Sequence, residues 1–295
     1  MTTAVAARNA PAWRQVIARV ARHADAGAGH RWLDIEVPAG FAVPAPGQFV
    51  QLLLAAPAPV LLPRPMSVAS VARRAGRLTI GFLYAPVGIG TRALAALAPG
   101  QPVEALGPLG RGYPLEEPGT AVLVAGGRGV APLLFAADAL AKHGRTCEFV
   151  FGARTKSLLV GVEDARRRLA RLGGRLHLAT DDGSRGRRGN VLDLLDHLAP
   201  RLDAPLVLHA CGPHGMLHAV AEWGMARSFR AHLAMESVMA CGTGVCRGCP
   251  MPRSAAGRAG HRADAPSLYG NREYAMCCTE GPVFEAHDLD WTRVE

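Results

Sequence analysis

The sequence predicts a β-barrel plus α/β fold: an antiparallel barrel, then a parallel-sheet domain, closed by a short cysteine-rich segment. Three observations carry this reading. Residues 13–107 hold short apolar stretches separated by Gly, Pro or charge, the punctuation of a small antiparallel barrel or sandwich. From residue 120, apolar strands alternate with helical segments, which calls for a parallel sheet covered on both faces. After about residue 235 the chain is rich in Cys, Gly and Pro and too short for a core of its own. A chain of 295 residues suits two domains of roughly 100–150 residues each. Boundaries are expected at 1–114, 115–234 and 235–295.

In the first part, strands are expected over "WRQVIARV", "RWLDIEV", "QFVQLLL", "MSVASV", "RLTIGFLY" and "PVEAL", with one helix, "TRALAALA", before the last. The boundary falls near "GRGYPLEEPGT". Beyond it, "TAVLVAGG", "CEFVFGA", "RLHLATDDG" and "APLVLHACG" read as strands. Helices are expected over "APLLFAADALAKHG", a charged stretch ending near Gly173, "NVLDLLDHLA" and "GMLHAVAEWGM". No internal repeat is evident.

Composition narrows the function classes. No apolar run of about 18 residues escapes a Gly, Pro or Arg, so no membrane span is expected. The N-terminus lacks the apolar core of a secretory signal. A cytoplasmic location follows as an expectation, and there cysteines serve metal or redox chemistry more often than disulfides. The net charge of +9 is scattered arginine, and aromatics make up 5% with no stacking stripe, which argues against nucleic acid. Phosphate-bearing cofactors or an acidic partner fit this charge better. "EDARRRLARLGGR" reads as the exposed face of a helix.

Cys241-x4-Cys246-x2-Cys249 followed by a distant cysteine is the spacing of plant-type [2Fe-2S] ligation. Thiolates are soft anionic ligands for iron, and Gly242, Gly244 and Gly248 let backbone N–H groups approach the sulfurs. On spacing alone the fourth ligand is Cys277 or Cys278. A structural zinc site is the alternative, although zinc favours paired short knuckles and only one such pair is present. Cys147 sits in an expected strand as a small apolar residue. Cys211, His214 and His218 form a second candidate metal set, but backbone geometry at Cys-Gly-Pro accounts for them better.

"VLVAGGRGVAPLL" places Gly126, Gly127 and Gly129 between a strand and a helix, with Pro132 in the first helical turn. A helix start offers N–H donors to a pyrophosphate. "ACGPHGM", with Cys211, Gly212 and Pro213, repeats the arrangement at a later strand end, and carboxyl ends of parallel strands are where such sheets bind ligands. In the barrel, "LPRPMSVAS" combines Pro63 and Pro65 with Arg64 and Ser67, while "YAPVGIGTRAL" sets Gly90 and Thr91 ahead of a helix. Together they point to a flavin.

In this order, "RPMS", "GIGT", "GGRGVAPLL", "TDDGSRGRRGNV", "CGPHGM", "ESVMACGTGVCRGC" and "CTEGPVF" resemble the electron-transfer subunits of NAD-linked (class 1B) dihydroorotate dehydrogenases, within the ferredoxin–NADP reductase superfamily. The resemblance runs from about residue 13 to the C-terminus. It implies an FAD-binding barrel, an NAD(H)-binding α/β domain and a [2Fe-2S] segment. FAD would be held by Arg64, Pro65, Met66, Ser67, Gly90 and Thr91, with Leu83, Tyr84 and Ala85 beside them and Ser67 near the flavin N5. The cluster ligands map onto Cys241, Cys246, Cys249 and Cys278, the last standing three residues before Gly-Pro-Val-Phe. The implied partner is an FMN-containing catalytic subunit in a hetero-oligomer that oxidises dihydroorotate and passes electrons to NAD+.

Three features depart from the family pattern. Arg128 replaces a small apolar residue, where it would either grip a phosphate or narrow the pocket, and Ala131 stands where Pro is common. Ala85 replaces a basic residue, and a long insert occupies 250–276. Arg154 and Lys156 follow the second sheet strand, where a 2′-phosphate would bind, which keeps NADP beside NAD. Two alternatives stand beside the main reading: a reductase subunit serving another oxidoreductase or a ferredoxin, and a zinc-stabilised regulatory module that binds nucleotides without catalysis.

Overall fold

The structure is a computed structural model and describes residues 13–55, 59–74, 76–260 and 273–294. The first body is an antiparallel seven-stranded sheet built from β1 (Arg14–Gly27), β2 (His30–Val37), β3 (Phe49–Leu53), β4 (Arg64–Ser67), β5 (Ser70–Arg74), β6 (Arg77–Tyr84) and β7 (Pro102–Leu109). Helix α1 (Ile89–Ala95) lies between β6 and β7, as the sequence predicts. The strand order is β4-β3-β7-β1-β2-β6-β5. Along β2, Leu33, Ile35 and Val37 turn inward while Trp32, Asp34 and Glu36 are more exposed, the period of two that a half-buried strand requires. These residues meet Val50, Ile80, Phe82 and Val103 in the barrel core.

One expected strand is corrected. "MSVASV" is not continuous, because β4 ends at Ser67 and β5 begins at Ser70. Between them, the Val68 N–H donates to Gln48 O at 3.1 Å and the Ala69 N–H donates to Gly81 O at 2.8 Å. The chain therefore changes partner at this corner, from β3 on one side to β6 on the other, and so curls the sheet closed.

The second body comprises β8 (Thr120–Gly126), α2 (Val130–Lys142), β9 (Cys147–Ala153), α3 (Val162–Leu172), β10 (Arg175–Thr180), β11 (Arg187–Arg188), α4 (Val191–Leu198), β12 (Leu206–Cys211), α5 (His214–Ala226) and β13 (Arg230–Ala234). The cysteine-rich segment adds β14 (Pro250–Pro252), α6 (Ala255–Gly260), β15 (Tyr274–Met276), α7 (Cys277–Glu280) and β16 (Val283–Glu285). The sheet runs β11-β10-β9-β8-β12-β13-β16, parallel except for β16. Leu133, Leu140, Val162 and Leu169 pack α2 and α3 on one face, while Leu194, Leu195, Leu217 and Val220 pack α4 and α5 on the other. The expected charged helix is α3, which buries only Val162, Ala165 and Leu169.

β13 and β16 lie beyond the strands expected from sequence. "RAHLA" has no β-branched residue, so its strand form comes from its place between β12 and β16 rather than from propensity. The cysteine-rich segment buries itself on the α/β sheet: Met235, Met239, Cys249, Met251, Phe284 and Trp291 share one apolar cluster with Leu208 and Leu217. No helix among the described residues is long and apolar enough to cross a membrane. Much of the 250–276 insert, from 261 to 272, lies outside the described residues.

Candidate functional site

A cavity of about 520 Å³ opens at the carboxyl ends of β8, β9, β10 and β12. Its walls include Gly126, Gly127, Gly129, Gly212 and Pro213, so the two glycine loops expected to hold a nucleotide come together. Their glycines let them approach closely. A Cβ on Gly129 would lie 1.9 Å from Cys211 O, and one on Gly212 would lie 3.0 Å from the Gly126 Cα. Gly127 also adopts φ +52°, a conformation that suits glycine. Cys211 itself is buried behind the cavity wall, and that burial pushes its thiol up to about 12, so it stays a neutral neighbour of the site.

Sequence reasoning missed His30, Asp181, Asn190 and Glu236, which also line this cavity. Asp181 could have been found, since it directly follows β10 at the carboxyl end where ligands gather. His30 carries no local signal. It arrives from the β1–β2 hairpin of the barrel, with Nδ1 2.9 Å from Ala28 O. Arg154 lines the cavity, whereas Lys156 sits in a short 3-10 turn, its N–H donating to Ser184 Oγ at 2.8 Å.

On the barrel, Arg64 and Gly90 meet. A Cβ on Gly90 would lie 2.7 Å from Arg64 Nε, so the absence of a side chain there lets the guanidinium lie on the start of α1, and a larger residue would push it aside. Arg64 Nη1 donates to Leu62 O and Pro63 O at 3.1 Å, and the Gly88 N–H donates to Thr91 Oγ1 at 2.9 Å. Pro65 and Ser67 are exposed along β4 while Met66 turns into the barrel core. Tyr84 also faces inward. Its hydroxyl lies 2.8 Å from His23 Nε2, and burial pushes the phenol up to about 12. Because His23 Nδ1 lies 2.8 Å from Leu97 O, that nitrogen carries the proton and Tyr84 donates to Nε2. Leu83 and Ala85 remain half-buried beside it.

The cysteine loop is organised around sulfur. The N–H groups of Thr243 and Cys246 reach Cys241 Sγ at 3.4 Å, Gly248 N–H reaches Cys246 Sγ at 3.5 Å, and Cys278 N–H reaches Cys249 Sγ at 3.5 Å. Gly242 and Gly244 make this wrap possible at φ +74° and +82°. Burial raises the Cys241 thiol, but the donors from Cys246 and Thr243 outweigh it and bring it down to about 6. The Cys278 thiol bonded to Cys249 lowers the latter to about 7 against its burial, while Cys278 is raised by the same bond. Cys277 points elsewhere: it is fully buried, its thiol directed at Met235 O at 3.7 Å and raised by burial. Among the described residues no group of three His, Cys, Asp or Glu side chains is gathered as a metal site. The sulfurs instead fall into neighbouring pairs, Cys241 with Cys246 and Cys249 with Cys278, each supplied with N–H donors. That donor set suits a two-iron cluster, in which each iron would take two of the four thiolates. Cys147 is buried at the start of β9. His214 and His218 face Trp291, with His218 stacked on it at 5.4 Å.

An antiparallel barrel followed by a parallel sheet with paired glycine loops defines the ferredoxin-reductase class of pyridine-nucleotide oxidoreductases. The oxidoreductase NAD-binding domain family matches residues 123–222. A solved NADH-dependent reduced ferredoxin-NADP oxidoreductase, studied for flavin-based electron bifurcation, superposes with a TM-score of 0.77 at 25% identity, covering 94% of this chain and 91% of that one. The dihydroorotate dehydrogenase B (NAD(+)) electron transfer subunit of Bacillus caldolyticus is 38% identical over 249 residues, 83% of this chain and 86% of the relative. That of Bacillus cereus strain Q1 is 36% identical over 242 residues, 81% and 84% of the two chains. The chain belongs to the family of dihydroorotate dehydrogenase B electron transfer subunits.

Proposed function

We propose that this chain carries electrons between NAD(H) and a catalytic partner subunit through FAD in the barrel groove and a [2Fe-2S] cluster on Cys241, Cys246, Cys249 and Cys278. The partner carries FMN and interconverts dihydroorotate and orotate within a hetero-oligomer. The observation that carries the reading is the set of backbone N–H donors directed at Cys241, Cys246 and Cys249 while Cys277 turns away into the core.

When bound, FAD supplies hydride exchange with nicotinamide and single-electron exchange with iron, which no side chain can do. The chain's own residues hold and tune. Arg64, laid on the start of α1 by Gly90, presents positive charge to the flavin pyrophosphate beside Thr91. Exposed Ser67 offers a hydroxyl near the flavin N5, with Pro65 fixing the backbone before it. Met66, Tyr84 and the half-buried Leu83 and Ala85 shape the groove from beneath. Gly126, Gly129 and Gly212 let the turn after β8 pack closely on the Cys211-Gly212-Pro213 turn at the dinucleotide cavity, and Gly127, with nothing near its missing Cβ, leaves the wall open. The N–H groups around the sulfurs stabilise negative charge there. The working division is 1–114 for flavin, 115–234 for dinucleotide and 235–295 for iron.

The test is anaerobic co-expression with an FMN-bearing partner, analysis of iron and acid-labile sulfide, and assay of dihydroorotate-dependent NAD+ reduction. The expected complex contains flavin, iron and sulfide and reduces NAD+. A chain without iron and sulfide even after reconstitution would refute the cluster, and a loaded complex inert to dihydroorotate would refute the substrate.

A further inference from the structure

We infer that Arg128 is a diphosphate-gripping residue of the dinucleotide cavity, a positioning cation carried on its glycine loop. The inference rests on the reading of that cavity as the NAD(H) site. Gly126, Gly127 and Gly129 have no side chains, so Arg128 is the only side chain that the turn between β8 and α2 can offer. It is exposed and lines the cavity wall. The cavity keeps its volume of about 520 Å³ with Arg128 in place, so the side chain borders the space and does not fill it.

Among the described residues Arg128 takes part in no side-chain hydrogen bond or ion pair, unlike Arg145, held by Gly119 O at 2.8 Å, or Arg230, held by Glu285 at 3.0 Å. The same walls carry Asp181 and Glu236, whose negative charge would oppose an anionic ligand. Arg128 and Arg154, from two different loops, offset them. The part of a dinucleotide that is anionic and accepts several hydrogen bonds is its diphosphate. A guanidinium matches two phosphate oxygens at once, which a lysine cannot. Position 128 also lies one residue before the backbone contact of Gly129 with Cys211 O, so the loop carrying the cation is rigidly seated.

The experiment titrates the FAD-loaded full chain with ADP-ribose, which carries the diphosphate but no nicotinamide, and with NADH, by calorimetry. Arg128→Ala is expected to weaken ADP-ribose at least about tenfold, the scale of a lost charge-assisted contact, and Arg128→Lys by less. The loss should shrink at about 0.5 M salt, where screening is strong. If Arg128→Ala binds ADP-ribose as tightly as the parent, or more tightly, the inference falls while the cavity reading stands. If the parent binds neither ligand, the cavity reading falls and takes the inference with it.

Discussion

Gln51 Nε2 donates to Met239 O at 2.9 Å across a buried contact, joining barrel strand β3 to the loop that leads into Cys241. Gly242 rests on the same side chain, where a Cβ would lie 2.9 Å from Gln51 Cγ. Gln51→Leu removes the donor and leaves a buried carbonyl unpaired, at a cost of about 1–2 kcal/mol. The expected outcome is a lower melting temperature and faster chelator-driven loss of iron from the loaded chain. Unchanged rates of iron release would show that the contact does not support the loop.

The two adjacent cysteines should behave differently. Cys278→Ser is expected to abolish the iron–sulfur absorbance and keep FAD, because Cys278 pairs with Cys249. Cys277→Ser should keep the absorbance and lose only stability, because its thiol faces Met235 O inside the core. Visible spectra of the two reconstituted variants decide; the reverse pattern would move the fourth ligand to Cys277.

Gly129 is held by space rather than by backbone angle, since its φ is an ordinary −59°. Gly129→Ala forces a Cβ into Cys211 O, 2.3 Å from Cys211 C. A backbone obstacle of this kind is expected to cost about 3 kcal/mol, together with dinucleotide affinity. Gly215 in α5 is the control, with nothing near its missing Cβ. Gly215→Ala should be neutral or stabilising by about 0.5–1 kcal/mol, read by urea unfolding.

His209 and His232 stack at 5.5 Å across β12 and β13, and Tyr113 meets His209 edge-on. Burial, then the positive charge of His232 and Arg145, holds His209 down to about 3, and its Nδ1 has no hydrogen-bond partner among the described residues. The folded state therefore resists a proton that the unfolded chain accepts near pH 6.5. This contribution is complete above that value and is lost as pH falls toward 3. Between pH 7.5 and 5 it removes about 2 kcal/mol. His209→Leu should lack that portion of the pH dependence in urea titrations at the two values; parallel curves would count against this account.

What the sequence made legible was local. The cysteine spacing, the glycine loops after β8 and β12 and the Arg64–Ser67 segment depend on residue type and short separation. What it hid was assembly. β13 has no strand-forming composition and exists because β12 and β16 flank it. His30 and Glu236 reach one cavity from segments more than 200 residues apart, which no local pattern encodes. The partner of the buried Tyr84 hydroxyl, His23, comes from another strand, although the inward turn itself follows the period of two along β6.

β16 has a mechanical meaning beyond its three residues. Just before it, Gly281 O accepts from Arg111 N–H beside the barrel's last strand, and Pro282 O accepts from Met235 N–H at 2.9 Å, where the sulfur-bearing stretch leaves the sheet. Barrel, sheet and cysteine loop are thus riveted at one spot. A cysteine loop fastened this way is not a tethered shuttle, so its spacing from the barrel is set when the polypeptide folds.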